Sequence, residues 1–393
     1  MFSARTGLAR HPNRLATALE AARAAGRHVL DLTHSNPTTA GIPYPAPTIR
    51  GALADEGALV YAPAPFGARA AREAVAATYE DIGVHVDPAR VVLTASTSEA
   101  YAFLFKLLCD DGDDLLVPAP SYPLFDVLAR FEGVRLVPYP LAYDGKWHVD
   151  EDLVRRAITP RTRAILMVSP NNPTGSYIKR SELDMLARLG LPLVSDEVFA
   201  AFPLTDDRAG TRAPSVLACT HAPLVFALSG LSKLAGLPQM KLGWIAVGGV
   251  DEARVAEALG RLELLGDAFL SVGTPVQVAA PPLLETRRET GAAIRARLRA
   301  NLAMLDSRVA GTAATLLDVE GGWYATLRLP ATETEEAWTL AFLEQDGVYV
   351  HPGHFFDFPA EAFVVLSLLT PESAFEEGVR RLLDRVGGRS RGG

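Results

Sequence analysis

An alternation through the middle of the chain limits its fold most: short apolar, β-branched runs are separated by longer stretches with helical periodicity. The runs RVVLTA (90–95), DDLLVP (113–118), VRLVPY (134–139), RAILMVS (163–169), LPLVS (191–195), LVFALS (224–229) and LGWIAVG (242–248) are apolar almost throughout. Such runs are the pattern of strands covered on both faces. Between them SEAYAFLFKLLC (98–109) and RSELDMLARLG (180–190) read as helices, the second with Ser181 placed to cap it. Strands and helices in this order predict an α/β domain built on a mostly parallel mixed sheet.

After about residue 270 the texture changes. A long Ala/Arg-rich helical pattern (289–311) precedes WYATLRLP, a helix at 334–346 and the run AFVVLSLL, which together predict a smaller α+β domain. With 393 residues, 49% of them hydrophobic, the chain can support two cores. The expected division is an N-terminal arm joining the small domain (1–40), a large domain (41–270), a small C-terminal domain (271–386) and a disordered tail, GGRSRGG (387–393).

Composition narrows the function. A net charge of −8 argues against a polyanion, so no nucleic acid partner is expected. The start lacks a secretory signal and no apolar run is long enough for a bilayer, so no membrane is expected either. The only cysteines, Cys109 and Cys219, allow neither a disulfide framework nor a four-thiolate zinc site. A cytoplasmic protein fits these features.

In open α/β sheets ligands collect beyond the carboxyl ends of the strands. There the chain carries Ser96, Thr97 and Ser98 at a helix start, then Tyr122 in PAPSYP and Asn172 in SPNNPTG. Asp196 follows, then Ser229 and Lys233 in LSGLSKLAG. Taken singly these are a helix cap, a rim aromatic, a turn, an ion-pair partner and a snorkelling cation. Taken together they offer an anion cradle, an aromatic plate, an amide, a carboxylate and a lysine to one molecule, pyridoxal 5'-phosphate. Its phosphate suits a helix N-terminus, its aldehyde a lysine as a Schiff base, and its ring nitrogen a carboxylate. The apolar neighbours of Lys233 fit that role, because they favour the neutral, nucleophilic amine.

At these residues the chain resembles the class I/II aminotransferases, the aspartate-aminotransferase-like enzymes of fold type I, over roughly residues 30 to 385. YAPAPFG (61–67) is similar to a segment whose tyrosine reaches the cofactor phosphate of a neighbouring subunit, here Tyr61. The resemblance implies a homodimer with sites at the subunit interface, and Thr274 is a further residue expected near it. It also implies ping-pong transfer of an amino group between a donor and a keto acid acceptor. Lys233 would act as base and then acid. A β-lyase or decarboxylase on the same cofactor, and less readily a non-catalytic cofactor-binding regulator, are the alternatives.

Four positions depart from the family pattern. Phe199 stands where a tyrosine is usual, Lys241 where an arginine clamps the phosphate, and Gly230 where a serine is expected, leaving Ser229 or Ser232 to contribute. In the strand FVVLSL the position of the carboxylate-binding arginine holds Val365, and residues 362–370 contain no arginine or lysine. The resemblance thus implies either another carboxylate partner, with Arg50, Arg69, Lys146, Arg328 and His34 as candidates, or a donor without an α-carboxylate.

Overall fold

The computed structural model describes residues 2–7 and 13–388. The expected disordered tail therefore lies, from residue 389 on, outside the described residues.

Strand β1 is Leu30–Asp31, and β2 to β9 follow as Val91–Thr94, Asp114–Ala119, Arg135–Tyr143, Trp147–Val149, Thr162–Val168, Leu193–Asp196, Val225–Gly230 and Gly243–Gly248. The last eight form one sheet in the order β2-β9-β8-β7-β6-β3-β4-β5. Five of them, β4, β3, β6, β7 and β8, pair in parallel. The continuous apolar runs explain this arrangement, because β2, β7 and β8 are buried at every position and so must be covered on both faces. Helix Thr97–Leu108 covers one face and buries Tyr101, Phe103, Leu104 and Phe105. On the other face lie Val75, Tyr79, Leu183, Leu186 and Trp244.

Two strands run against the parallel majority. Hairpin strand β5 pairs antiparallel with β4 at the sheet edge, an element too short to register in the sequence pattern. More consequential is β9, antiparallel to both β8 and β2. Its amino end thereby comes to the edge where its neighbours' carboxyl ends lie.

Helix Arg180–Ala187 starts one residue before Ser181, which corrects the expected cap. Its N-cap is Lys179, whose N–H donates to the Glu182 carboxylate at 2.6 Å, the reach-back half of a capping box.

The second core gathers around strands β10 (Thr315–Leu316), β11 (Tyr324–Arg328), β12 (Val348–Tyr349), β13 (His351–Pro352) and β14 (Phe363–Ser367). Four of them form a sheet in the order β10-β11-β14-β13. Along helix Arg287–Val309 the buried residues Thr290, Ile294, Leu298, Asn301, Leu305 and Val309 recur every three or four positions, one apolar stripe facing this core. Asn301 fixes the helix by donating to the Leu368 and Thr370 carbonyls, both at 2.8 Å. The N-terminal segment joins the same unit, since β1 pairs in parallel with β12 and Leu15 and Leu19 pack with Leu343. By contrast, helix Thr274–Glu285 buries Ala279, Ala280, Leu283 and Leu284 with the core of the large sheet.

Candidate active site

The site is assembled at one edge of the large sheet. The turns leaving β2, β3, β6, β7 and β8 carry Ser96 to Ser98, Tyr122, Asn172, Asp196 and Lys233, and the reversed β9 adds Lys241 from its amino end. Glycine makes the close approach here. A Cβ on Gly243 would stand 2.9 Å from the Ser96 carbonyl carbon and 3.1 Å from the Thr97 nitrogen, so β9 lies directly against the first helical turn.

Ser96 caps helix Thr97–Leu108, accepting from the Glu99 N–H at 3.2 Å, while Glu99 accepts from the Ala95 N–H at 2.7 Å. This reciprocal cap uses the Ser96 hydroxyl but leaves the N–H groups of Thr97 and Ser98 without an acceptor among the described residues. Those two groups and the positive end of the helix could hold an anion. Lys241 stands just beyond it with φ 53° and ψ 55°, a left-handed conformation that costs a lysine on the order of 1 kcal/mol. Its exposed side chain has no hydrogen-bond or ion-pair partner among the described residues.

Asp196 is buried at the end of β7. Its carboxylate accepts from the Tyr101 hydroxyl at 2.7 Å and from the Val198 N–H at 3.1 Å. Burial raises its pKa above the usual carboxylate range, opposed by these two hydrogen bonds and by Lys233. Lys233 shows the opposite shift: burial pushes its pKa down to about 8, with Asp196 resisting. The amine is turned inward, 4.7 Å from the centre of the Trp323 ring and 5.6 Å from that of Phe199.

Asn172 is buried, and its side-chain oxygen has no partner among the described residues. Tyr122 is 42% exposed, its ring edge-on to Phe125 at 6.3 Å. Phe199 packs against Trp323 at 5.4 Å and Tyr324 at 6.1 Å, so the hydroxyl-free ring sits in an aromatic cluster. Ser232, half-buried, adjoins Lys233 in the short helix Leu231–Leu234.

One expected residue lies elsewhere, and Tyr61, expected to serve a neighbouring subunit, faces outward. Ser229 shares its side of β8 with Ala227, away from Asp196 and Tyr101, and it lines a cavity with Tyr79 and Trp244 on the far face of the sheet. The contribution expected of it at the cradle is therefore corrected: a one-residue offset in a strand reverses the face. Tyr61 is 79% exposed on the surface, near Thr274 and Gln277. Gly230 cannot be a serine without rearrangement, because a Cβ there would lie 2.8 Å from the Leu242 carbonyl oxygen.

Val365 is buried in β14, opposite Thr326 and His351. Phe356 and Phe358 share its core, and the Thr326 hydroxyl is buried without a partner among the described residues. Among the proposed replacements Arg69 is engaged by Glu73 at 2.7 Å, and Arg50 and Lys146 are exposed. Arg328 is exposed at the far end of the β11–β14 pair, opposite Phe363. His34 is half-buried and adjoins the strand, its carbonyl accepting from the Ser367 hydroxyl at 2.7 Å.

Tyr101 and Trp323 escape the sequence reading. Tyr101 reads as one more apolar member of its helix stripe, and only its hydroxyl distinguishes it. Trp323 follows a Gly-Gly turn more than 120 residues from Asp196, so only tertiary packing brings it to the lysine.

These groups fit pyridoxal phosphate. An orphaned buried amide oxygen, a cradle of free N–H groups closed off by Gly243, a buried carboxylate and an inward-turned amine with a lowered pKa are complementary to its hydroxyl, phosphate, ring nitrogen and aldehyde. The fold and the site thus define a pyridoxal phosphate enzyme of fold type I. The sequence pattern of the class I and II aminotransferases matches residues 27–382, and the chain belongs to that family. It is 29% identical over 344 residues to the aspartate/prephenate aminotransferase of Thermus thermophilus, covering 86% of this chain and 84% of that protein. Among solved structures it is similar to a double mutant of Thermus thermophilus aspartate aminotransferase, with TM-score 0.84, 27% identity and coverage of 98% and 99% of the two chains. Alanine aminotransferase from Pyrococcus furiosus shares the fold at TM-score 0.87 and 24% identity, covering 99% of this chain and all of that one. The protein is a pyridoxal phosphate-dependent aminotransferase.

Proposed function

We propose that this aminotransferase acts on a donor whose recognition does not rest on an arginine–carboxylate pair. The observation that carries the reading is the setting of Val365 in a strand without arginine or lysine, beside Phe356 and Phe358 and opposite Thr326 and His351. A bidentate guanidinium at that point would supply two charge-assisted hydrogen bonds, and valine supplies none. A primary amine with an apolar body suits such a lining, and an amino acid would have to be held by a weaker partner such as His34. Bound pyridoxal phosphate supplies an electron sink for the bond being broken at the donor carbon. The chain supplies the rest. With the cofactor in place, Lys233 Nζ would be the group that takes up and gives back the donor's Cα proton, Asp196 would hold the ring nitrogen protonated, and Asn172 would offer its amide to the ring hydroxyl. Thr97, Ser98, Ser232 and Lys241 would hold the phosphate, Ser96 fixing the helix start as its cap, with Tyr122 against the ring.

The test follows the visible spectrum of the cofactor-loaded protein during single turnovers with amino acids and with simple amines. Amines are expected to convert the cofactor to its amine form at least about tenfold faster than amino acids of similar side chain, as loss of two good polar contacts implies. Faster conversion by ordinary amino acids would refute the reading.

The active form is further proposed to be a cytoplasmic homodimer, with Tyr61 entering the neighbouring subunit's site. Leu59, Val60 and Tyr61 are 88%, 61% and 79% exposed, a continuous apolar strip that favours a covering partner. For the compartment, Cys109 and Cys219 are both unpaired, and no helix among the described residues is long and apolar enough to cross a membrane. Light scattering is expected to give twice the chain mass. Tyr61→Ala is expected to weaken cofactor binding by about tenfold, as removal of a hydrogen bond to a phosphate implies. A monomer with full activity would overturn the assembly.

A further inference from the structure

Behind the active site, on the opposite face of the sheet, lies a cavity of about 440 Å³. That volume suits a small-molecule ligand. Its floor is Tyr79, Ser229, Trp244 and Glu197, and one wall is helix Arg287–Val309, which presents Arg287, Arg288, Arg295 and Arg299.

The four guanidiniums are not equivalent. Arg287 pairs with Asp81 and Glu285, both at 2.6 Å, and Arg288 reaches the same two carboxylates at 3.5 and 2.9 Å. Arg295 and Arg299 have no carboxylate partner among the described residues. Each donates to a backbone carbonyl, Arg295 to Ala201 and Arg299 to Pro203, both at 3.2 Å. They are four residues apart on one helix, hence neighbours of like charge, an arrangement that is unfavourable without an anion between them or beside them. Burial and Arg299 together depress the pKa of the half-buried Arg295. Surface repulsion of this kind is ordinarily relieved by rotation into solvent, yet both side chains are held at the cavity by their carbonyl contacts.

The remaining acid in the cavity does not neutralise them. Glu197 accepts from the Ser215 hydroxyl and the Val216 N–H, each at 2.8 Å. Its carboxyl is therefore already engaged by the turn at Ser215 and Val216.

From the cavity and this unneutralised pair, we infer a binding site for a small oxyanion carrying at least two negative charges, either a polycarboxylate or a phosphate compound, gripped by Arg295 and Arg299. Two planar forks can each place parallel hydrogen bonds on an acidic group, which a single lysine cannot do. The polar floor at Ser229 and Tyr79 accommodates the ligand's uncharged atoms. The site is distinct from the phosphate cradle, which lies across the sheet at Thr97 and Ser98, and it does not depend on the donor proposed above.

Calorimetric titration of the cofactor-loaded protein with citrate and with pyrophosphate, at ionic strength matched with sodium chloride, tests the inference. One of the two is expected to bind saturably at one site per chain. A preference for citrate identifies the carboxylate class, and a preference for pyrophosphate the phosphate class. R295Q/R299Q is expected to weaken that binding by at least tenfold while the bound-cofactor spectrum is unchanged. Arg299→Glu, at an exposed position with little effect on packing, is expected to weaken it by at least as much through charge reversal. Saturable binding of neither probe, or binding in both variants within threefold of the native protein, overturns the proposal.

Discussion

Replacing Lys233 by alanine is expected to abolish amino transfer, a fall on the order of 10⁴-fold or more, while leaving a folded chain that still takes up pyridoxal phosphate. The argument rests on one atom. In the proposed mechanism the Lys233 amine both joins the cofactor and moves the donor proton, so both functions disappear together, whereas the proposed phosphate cradle at Thr97 and Ser98 is untouched. Borohydride treatment followed by peptide mass mapping is expected to find the cofactor on residue 233 of the native protein and nowhere in the variant. Recovery on another lysine would refute the assignment. The pH dependence adds a second check. With a pKa of about 8 in the cofactor-free chain, attachment should quicken about tenfold per unit as pH rises toward 8 and level off above it. An ordinary lysine would still be quickening at pH 9.

The same depression has a consequence for stability. A base whose folded pKa lies below its unfolded value contributes stability that is fully present above the unfolded value and lost as pH falls through the folded one. For Lys233 the window runs from the ordinary 10.5 down to about 8. At pH 7 the charged amine therefore burdens the cofactor-free fold by up to about 3 kcal/mol, less whatever Asp196 loses when its cation is removed. Lys233→Met, close in volume, tests this: its thermal midpoint without cofactor should exceed the native one at pH 7, with the gap closing toward pH 10.5.

How far this site can be read in the sequence depends on whether a residue's role is local. Asp196, Asn172 and Lys233 follow apolar runs that end within a residue or two of the observed strands, so position along the chain fixes position at the sheet edge. The antiparallel β9 breaks that rule, because nothing in LGWIAVG states its direction, yet reversal is what brings Lys241 to the cradle. Ser229 fails for a related reason: a strand's alternation sends it to the far face, a distinction invisible in a run that is apolar on both sides. Tyr101 and Trp323 are legible only in three dimensions, one through its hydroxyl on Asp196 and the other through the ring it lays against Lys233. Ser181 gives way as a cap to Lys179, to whose N–H the Glu182 carboxylate reaches back, an arrangement that a preference for hydroxyl caps overlooks.

Asp196→Asn separates catalysis from folding most sharply, because the two are expected to move in opposite directions. In the cofactor-free chain burial raises the Asp196 pKa, so the stability this group contributes is complete below the unfolded value and is lost as pH rises through the folded one. Its charged form is thus a cost to the fold that its bonds from Tyr101 and Val198 and the nearby Lys233 only partly offset. Asparagine removes the charge and keeps both partners, its carbonyl accepting from the Val198 N–H and its amide donating to the Tyr101 oxygen. The thermal midpoint without cofactor is expected to rise. With cofactor bound the balance reverses, since a protonated ring nitrogen needs an anion opposite it and a neutral amide cannot hold that proton. The fall in kcat/KM is expected to be on the order of 10³-fold, comparable to removing a preorganised electrostatic partner from other enzyme sites. Calorimetry on the cofactor-free proteins and steady-state kinetics on the loaded ones read the two effects separately. Activity within tenfold of the native enzyme would show that Asp196 does not face the ring nitrogen, and a lower midpoint would show that its charge is stabilised by more than Tyr101, Val198 and Lys233.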